Sequence, residues 1–256
     1  MTIFSEVNKG VRKVDGVSLA TGRARFTDDF ELSGMLRGKI LRSPHAFARI
    51  KRIRTARARA LPGVAAVLTY RDLPRIPITS CCQTWPESGP YDEFILDRYA
   101  RYVGDKVALV AARDEETADR ALSLIEVEYE VLTPLFDPRK AMVPGAPIIH
   151  PEKEAHIIIP VIYRPEINQV GSLQAGDSGY ASLGDVDRAL AGAEAALHRV
   201  YHTQFASHVP AEPHCSIGYI DEHGRLVIIS STQAPFHVRR IVARALALPI
   251  KEIGRA

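Results

Sequence analysis

Residues 106–132 constrain the fold of this chain more than any other segment. Residues 106–113 are a continuous apolar run between charged positions, which predicts a buried strand. Asp114 is a favourable N-cap, and two glutamates follow it where the helix dipole favours them, so a helix is predicted to about Ile125. Residues 126–132 then alternate, with Val127, Tyr129 and Val131 predicted to point inward and three glutamates outward. The segment predicts a strand–helix–strand unit of an α/β domain.

Earlier segments supply further predicted strands for the same domain. Residues 35–41 (MLRGKIL) and 64–69 (VAAVLT) each follow a glycine and are each predicted to form a strand. Residues 49–59 are strongly basic, and Ile50 and Ile53 alternate with the charges. This pattern favours an exposed strand edge followed by a short helix. Binding of phosphate groups or nucleic acid is the alternative, but no aromatic residue is interleaved with the charges.

The regular pattern stops between residues 72 and 97. Four prolines and a glycine surround Cys81, Cys82 and Trp85, the only tryptophan. Loops of this length are usually functional or mobile. Two adjacent cysteines cannot easily bind one metal ion together, which favours a surface loop packed on its own tryptophan.

The sequence predicts a domain boundary after residue 133. Residues 134–182 are rich in proline and glycine and predict an extended connector that lies on another part of the molecule. Asp185 is placed to cap a short helix, and a strand is predicted over residues 196–205.

Residues 210–248 predict a strand, a tight turn, a second strand, a polar corner and a helix. The turn is residues 221–224, between alternating apolar positions. The second strand ends in Ser-Ser-Thr-Gln at residues 230–233, and Pro235 suits the first position of a helix. The three arginines of this helix, Arg239, Arg240 and Arg244, are predicted to face water, with Phe236 on the apolar face. Hydroxyl, amide and free backbone N–H groups at such a corner suit an anionic or oxo-rich ligand.

Gln233 and Glu212 are the candidate site residues of this region. Pro213 forces Glu212 into an extended conformation, so stiff backbone presents its carboxylate. Taken singly, each residue also has an ordinary interpretation. A glutamine at a corner is often a cap or a surface amide, and a glutamate between prolines is often a solvated turn residue.

Composition restricts the class of protein. The chain has 256 residues, 46% hydrophobic and 25% charged, which is ordinary for one large or two smaller globular domains. A net charge of +3 is too small to imply a nucleic-acid or membrane partner. The three cysteines form no CxxC pair, so we expect no disulfide framework, iron–sulfur cluster or metal site made by this chain alone. The N-terminus lacks the apolar region of a signal peptide, which predicts a cytoplasmic protein.

With these segments placed, the chain resembles the N-terminal part of the molybdopterin-binding large subunit of the xanthine dehydrogenase/aldehyde oxidase family, which includes hydroxybenzoyl-thioester reductases. The matching segments occur in family order. They are VDGVSLATGRARFTDDF (14–30), GMLRGKILRSPHAFARI (34–50), LPGVAAVLTYRDLP (61–74), RYVGDKVALVAARDEETADRALSLIEVEYEVL (101–132), GDVDRAL (184–190), AEPHC (211–215) and STQAPFHVRR (231–240).

The resemblance implies a fold and two site residues. The fold is an α/β hammerhead domain at residues 19–133, an extended connector at 134–182, and the beginning of an α+β molybdopterin-binding domain at 183–256. Gln233 falls on the family's glutamine beside the molybdenum centre, where a neutral amide can donate without adding charge. Glu212 falls on a family glutamate in a supporting role near the same pocket.

The chain also departs from the family pattern. The family follows the helix after this glutamine with a strand and a GGGFGG loop at the metal, whereas the printed sequence reads KEIGRA over residues 251–256. The family's catalytic glutamate lies beyond residue 256, so the resemblance gives this chain no catalytic residue and no metal ligand. We therefore expect a fragment, a truncated gene product or one piece of a split subunit, inactive alone.

The function implied is that of part of a molybdenum-dependent oxidoreductase. Such enzymes hydroxylate aldehydes or aromatic heterocycles, or dehydroxylate aromatic thioesters. The resemblance implies a molybdenum–molybdopterin cofactor shared with the rest of the large subunit, iron–sulfur and FAD centres on partner subunits, and a small-molecule substrate. A non-catalytic assembly or interaction module that retains the hammerhead domain is the alternative.

Overall fold

The computed structural model of the protein describes residues 9–81, 83–171 and 186–255. The strands are β1 (Arg37–Arg42), β2 (Ala48–Arg54), β3 (Val64–Thr69), β4 (Tyr99–Ala100), β5 (Lys106–Ala112), β6 (Glu126–Val131), β7 (Ser216–Ile220), β8 (Leu226–Ser230) and β9 (Ile253–Arg255). The α-helices are α1 (Gly16–Ala20), α2 (Ala56–Arg59), α3 (Glu115–Ser123), α4 (Pro138–Ala141), α5 (Val186–Ala191) and α6 (Pro235–Ala245). Short 3₁₀ turns lie at Thr27–Asp29, Pro165–Ile167 and Ile250–Glu252.

The first sheet is antiparallel, in the order β1–β5–β3. β5 lies in the middle because its nearly continuous apolar sequence tolerates burial on both faces. Helix α3 packs on this sheet, and Asp114 caps it as predicted, accepting a hydrogen bond from the Thr117 amide at 2.7 Å. The buried core consists of Ile50, Ile53, Ala58, Val67, Val107, Ala108, Val110, Ala112, Ala118, Ala121 and Ile125. The predicted strand and helix of residues 106–125 are therefore confirmed.

The second sheet has the order β4–β2–β6, also antiparallel. The prediction of an exposed edge over residues 49–59 was wrong, because β2 is the central strand of this sheet; the short helix after it is confirmed as α2. β6 pairs with β2 and not with β5, so the strand–helix–strand unit joins two sheets. Val131 was predicted to point inward but is 63% exposed, because β6 ends there at the edge of its sheet.

The described part of the connector, residues 134–171, lies on the hammerhead region. Its backbone pairs with the loop of residues 72–97 at one point, where the Tyr91 amide donates to the His156 carbonyl at 2.7 Å. Asn168 fixes the connector internally by accepting from the Ile149 amide at 2.9 Å and donating to the Ala141 carbonyl at 2.8 Å. Hydrogen bonds therefore fix the conformation of this part of the connector.

The third sheet contains the predicted hairpin, with β7 and β8 antiparallel and β9 parallel to β8. The Asp221 carboxylate closes the hairpin turn by accepting from the His223 and Arg225 amides, each at 2.9 Å. Gly224 has a φ of +76°, a conformation that favours glycine. Helix α6 connects β8 to β9 and starts at Pro235, as predicted.

Residues 196–205 differ from the prediction of a strand. They have no regular secondary structure and are exposed, because no strand in the described ranges pairs with them. The predicted cap Asp185 lies outside the described residues, although the helix that it would cap is present as α5. A search of the same ranges finds no helix with the length and hydropathy needed to cross a membrane.

Candidate cofactor site

The predicted polar corner lies between β8 and α6, over residues 231–234. The Thr232 hydroxyl accepts a hydrogen bond from the Ala234 amide at 3.1 Å, which fixes the turn. Ala234 is the N-cap of α6, and its methyl side chain offers no acceptor to the helix N-terminus. Pro235 occupies the first turn, where its missing N–H removes no hydrogen bond. The N-cap position therefore lacks the side-chain acceptor that a serine, threonine or aspartate would supply there.

Hydrogen bonds to Ser231 bring the Glu212 segment to the same corner. The Ser231 amide donates to the Cys215 carbonyl at 3.1 Å, and the Cys215 amide donates to the Ser231 hydroxyl at 3.0 Å. These bonds extend the β7–β8 ladder by one residue pair beyond Ser216 and Ser230. Glu212 and Gln233 thus lie at the same open end of the hairpin, with Glu212 half-buried and Gln233 exposed.

A cavity of about 180 Å³ opens beside the corner. Its lining residues are Ile228, Ser230, Thr232, Pro235, Val238, Arg239, Ile253 and Gly254. No lining residue is a carboxylate, and the polar ones carry hydroxyl or guanidinium groups. Gly254 is needed at its position, because a Cβ there would lie 2.9 Å from Val227 Cγ2. The chemistry of this cavity suits an anionic group, although neither Gln233 nor Glu212 lines it.

Helix α6 buries a polar face that the sequence pattern did not predict. Arg240 Nε donates to Glu87 Oε1 at 2.9 Å, and Arg244 Nε donates to the Pro77 carbonyl at 2.7 Å. The predicted exposure of these two arginines was therefore wrong. Phe236 was predicted to lie on the apolar face of the helix, but its side chain is 55% exposed. The helix is rotated so that its arginines reach the hammerhead loop.

The loop of residues 72–97 also differs from the prediction. Trp85 does not form its core, because the indole is 72% exposed and lies 5.5 Å from the Arg240 guanidinium. The buried residues of this loop are polar as well as apolar, with Thr79, Glu87 and Tyr91 all nearly inaccessible. No sequence signal marks Glu87, because its partner Arg240 lies 153 positions away.

The basic run of residues 49–59 forms ion pairs with carboxylates. Arg49 Nη2 lies 2.5 Å from Glu130 Oε2, across the β2–β6 ladder. Arg54 pairs with Glu126 at 2.9 Å, and Arg59 pairs with Asp72 at 3.0 Å. These arginines are neutralised within the fold, which weakens the alternative of a phosphate-binding strip.

A second cluster of ionisable groups lies between the loop and the connector. Asp92 and Glu152 flank His150, with Asp92 Oδ2 3.8 Å from His150 Nε2 and Glu152 Oε2 3.5 Å from His150 Nδ1. Burial raises the pKa of Asp92. Burial also raises the pKa of Tyr163 to about 12, with the charges of Asp92 and Glu152 adding to the effect. Across residues 9–81, 83–171 and 186–255, no group of three or more His, Cys, Asp or Glu could hold a metal ion.

Comparison with family models identifies both halves of the chain. Residues 21–133 match the model described as aldehyde oxidase and xanthine dehydrogenase, a/b hammerhead domain. Residues 173–254 match the molybdopterin cofactor-binding domain. The two matches follow one another in the order that the resemblance implied.

The chain belongs to the xanthine dehydrogenase/aldehyde oxidase family. The predicted fold class is confirmed: an α/β hammerhead domain followed by the beginning of a molybdopterin-binding domain. The probable hypoxanthine oxidase XdhD of Escherichia coli O157:H7 is 35% identical over 93% of this chain and 27% of its own length. The nicotinate dehydrogenase large molybdopterin subunit of Eubacterium barkeri is 30% identical over 98% of this chain and 53% of its own length.

A solved structure of the family has the same fold. The Cu,Mo-CO dehydrogenase in its carbon monoxide reduced state superposes with a TM-score of 0.69 at 30% identity, covering 96% of this chain and 30% of that one. The chain therefore spans between about a quarter and a half of the length of these family members. The cavity, which is lined by hydroxyl and guanidinium groups and by no carboxylate, fits the anionic cofactor for which the matched domain is named.

Proposed function

We infer that the chain is the N-terminal portion of a molybdenum-cofactor-binding oxidoreductase subunit. The observation that carries this proposal is the β8–α6 corner, where the Thr232 hydroxyl, the exposed Gln233 amide and the start of α6 lie beside a cavity that no carboxylate lines. Such a site stabilises negative charge. The match of residues 173–254 to the molybdopterin cofactor-binding domain supports the molybdenum cofactor as the ligand of this corner.

Gln233 and Glu212 have different roles in this proposal. Gln233 is exposed at the corner, so its amide is free to donate toward the cofactor without adding charge. Glu212 is half-buried at the same end of the hairpin and shapes the pocket wall. The catalytic glutamate is supplied by polypeptide beyond residue 256, and this chain alone does not turn over substrate.

The domain limits follow from the same proposal. We place the hammerhead domain at residues 19–133, the connector at 134–182 and the first part of the cofactor domain at 183–256. The hammerhead core supports this division, because every buried residue of that core lies between Ile50 and Ile125.

The substrate class is a small organic molecule, with aromatic heterocycles favoured over aldehydes and aromatic thioesters. Two of the similar proteins are named for hypoxanthine and nicotinate, which are aromatic nitrogen heterocycles. When bound, the molybdenum cofactor supplies two-electron redox chemistry at the substrate carbon. Iron–sulfur and FAD centres on partner subunits of the same cytoplasmic complex would accept the electrons.

The exposed segment of residues 196–209 supports assembly with further polypeptide. Leu197, Tyr201 and Phe205 have relative exposures of 85%, 86% and 107%. Large apolar side chains exposed to this degree within one segment favour an interaction surface. We propose that the remainder of the large subunit covers this segment. The matched region makes up 27% of the E. coli relative and 53% of the E. barkeri relative, so these two large subunits differ about twofold in length.

Molybdenum and pterin content of the purified protein tests the proposal. The chain is expressed alone and together with the adjacent genes, and each preparation is assayed for metal, pterin and oxidation of heterocycles. We expect about one molybdenum per assembled complex, with turnover, and no turnover by the chain alone. An assembled complex that contains the chain but no molybdenum would instead identify a non-catalytic assembly module.

A further inference from the structure

Glu87 is a buried carboxylate that the cofactor corner does not use directly. Its side chain is 1% exposed, and it lies in the hammerhead loop of residues 72–97. Oε1 accepts from Arg240 Nε at 2.9 Å, and Oε2 accepts from the Tyr91 hydroxyl at 2.9 Å. Burial opposes ionisation, but the hydrogen bonds from Arg240 and Tyr91 outweigh it, so the pKa of Glu87 lies below its usual range. The carboxylate is therefore ionised and fully paired at neutral pH.

The residues of helix α6 that contact this loop lie on one face of the helix. Arg240 and Arg244 are one turn apart, and His237 is three residues before Arg240, so all three side chains project from the same side. Arg240 Nη2 also donates to the Thr84 carbonyl at 3.2 Å. The Arg244 guanidinium lies 4.2 Å over the ring of Tyr91. The loop thus holds α6 by one ion pair, backbone carbonyls and an aromatic ring.

His237 adds a contact close to the start of the helix. Its Nδ1 is buried 3.6 Å from Glu87 Oε1 and has no hydrogen-bond partner among the residues that the structure describes. His237 is the third residue of α6 and follows Gln233 by four positions. Because a helix moves as a rigid unit over so short a distance, a shift of Glu87 would move the corner of residues 231–234.

We propose that Glu87 is a positioning residue that sets the location of α6, and through it the location of Gln233 and the corner, for the molybdenum cofactor. This rests on the proposed function. The hammerhead domain then positions part of the cofactor site, because its loop supplies the carboxylate that accepts from both Arg240 and Tyr91. A buried charge pair suits this task because its geometry is specific and the loss of one partner is costly.

Glu87→Gln is the sharpest test, because it keeps the volume of the side chain and removes its charge. Hydrogen exchange is measured on the cofactor-free chain, and kcat, KM and molybdenum content on the assembled complex. Glu222→Gln is the matched control, since Glu222 lies on the exposed hairpin turn with its side chain 86% exposed. We expect at least tenfold faster amide exchange over residues 232–238 in Glu87→Gln, unchanged exchange in β5, and a roughly tenfold lower kcat per bound molybdenum.

A double variant shows whether Glu87 acts through Arg240. Arg240→Gln should reproduce these effects, and Glu87→Gln with Arg240→Gln should add little further, because the two changes remove one interaction. Tyr91→Phe removes a single donor to Glu87 and provides a milder variant if Glu87→Gln fails to fold. Unchanged exchange at the corner and unchanged kcat per molybdenum, with only a lower Tm, would overturn the positioning role. Faster exchange in an assembled complex that never binds molybdenum would support the mechanical link and reject the proposed function.

Discussion

Arg101 Nη1 donates to Asp97 Oδ2 at 2.9 Å, and the two side chains are only 12% and 6% exposed. The same guanidinium donates to Glu152 and, through Nε, to the Ile149 carbonyl at 3.0 Å. One arginine therefore joins the hammerhead loop to the connector. Burial opposes ionisation of Asp97, but the charges and hydrogen bonds of Arg101 and Arg75 lower its pKa below the usual range.

Replacing Arg101 by leucine should destabilise the fold strongly. The change leaves Glu152 buried without its cation and Asp97 with Arg75 alone, and breaking a buried pair costs about 3–5 kcal/mol. Urea unfolding at pH 7 measures this loss, with exposed Arg120→Leu as the control. Because the folded pKa of Asp97 is depressed, the stabilisation is present above about pH 4 and is lost as the pH falls further. A stability difference between wild type and Arg101→Leu that persisted undiminished at pH 2 would contradict this account.

The contribution of Asp92 to stability should depend on pH in the opposite sense to that of Asp97. Burial raises its pKa, so its ionised form is less stable in the folded chain than in the unfolded one. The group stabilises the fold below about pH 4 relative to neutral pH, and that contribution is lost as the pH rises through the raised pKa. Asp92→Asn should therefore raise the Tm at pH 7 by a few degrees and leave it unchanged near pH 3. A lower Tm for Asp92→Asn at pH 7 would show that the contact with His150 outweighs the cost of burial.

The sequence predicted those elements whose causes are local. β5 follows from its apolar run, the start of α3 from Asp114, and the hairpin from the residues around Gly224. The contacts between distant segments were not predictable. Nothing near Arg240 indicates burial, because its partner Glu87 is a lone glutamate in a proline-rich loop. The amphipathic pattern of α6 therefore predicted that Arg240 faces solvent, whereas in the structure the loop of residues 72–97 lies against it.

In the candidate site, too, the local elements were predictable and the contacts between distant segments were not. The corner itself was predictable from Thr232, Gln233 and Pro235, because strand end and helix start are local signals. The approach of Glu212 to that corner was not predicted from the residues, since it depends on the extra pairing between Cys215 and Ser231. The strand expected over residues 196–205 requires a partner strand, and none is present in the described ranges.

A fragment that spans residues 19–138 should fold without the rest of the chain. Its buried core is complete within Ile50–Ile125, and both of its sheets are contained in it. The fragment lacks Ile149 and Glu152, which accept from Arg101, and Arg240, which donates to Glu87, so we expect a Tm several degrees below that of the full chain. Circular dichroism should show a mixed α/β spectrum with a cooperative thermal transition. A random-coil spectrum would contradict the proposed domain boundary near residue 133.

The role proposed for Gln233 predicts a loss of activity with little loss of stability. Gln233 is exposed, and its side chain lies between a strand end and a helix start, so it contributes little to the core. In an assembled enzyme, Gln233→Ala would remove a positioned donor. The expected cost is about 3 kcal/mol in the barrier, or roughly a hundredfold in kcat, as for other electrostatic stabilisers. Subunit assembly and Tm should be almost unchanged.

Gln233→Glu distinguishes a donor from a structural amide. Glutamate has nearly the same size but donates no hydrogen bond when ionised and adds negative charge. Beside an anionic cofactor, this change should lower kcat per bound molybdenum at least as much as alanine does. If Gln233 is instead a helix cap or a surface amide, alanine should cost about 1 kcal/mol of stability, and turnover of the folded enzyme should be unaltered. Melting temperature and turnover per molybdenum are measured on the same preparation, and unchanged turnover in both variants would remove Gln233 from the cofactor site.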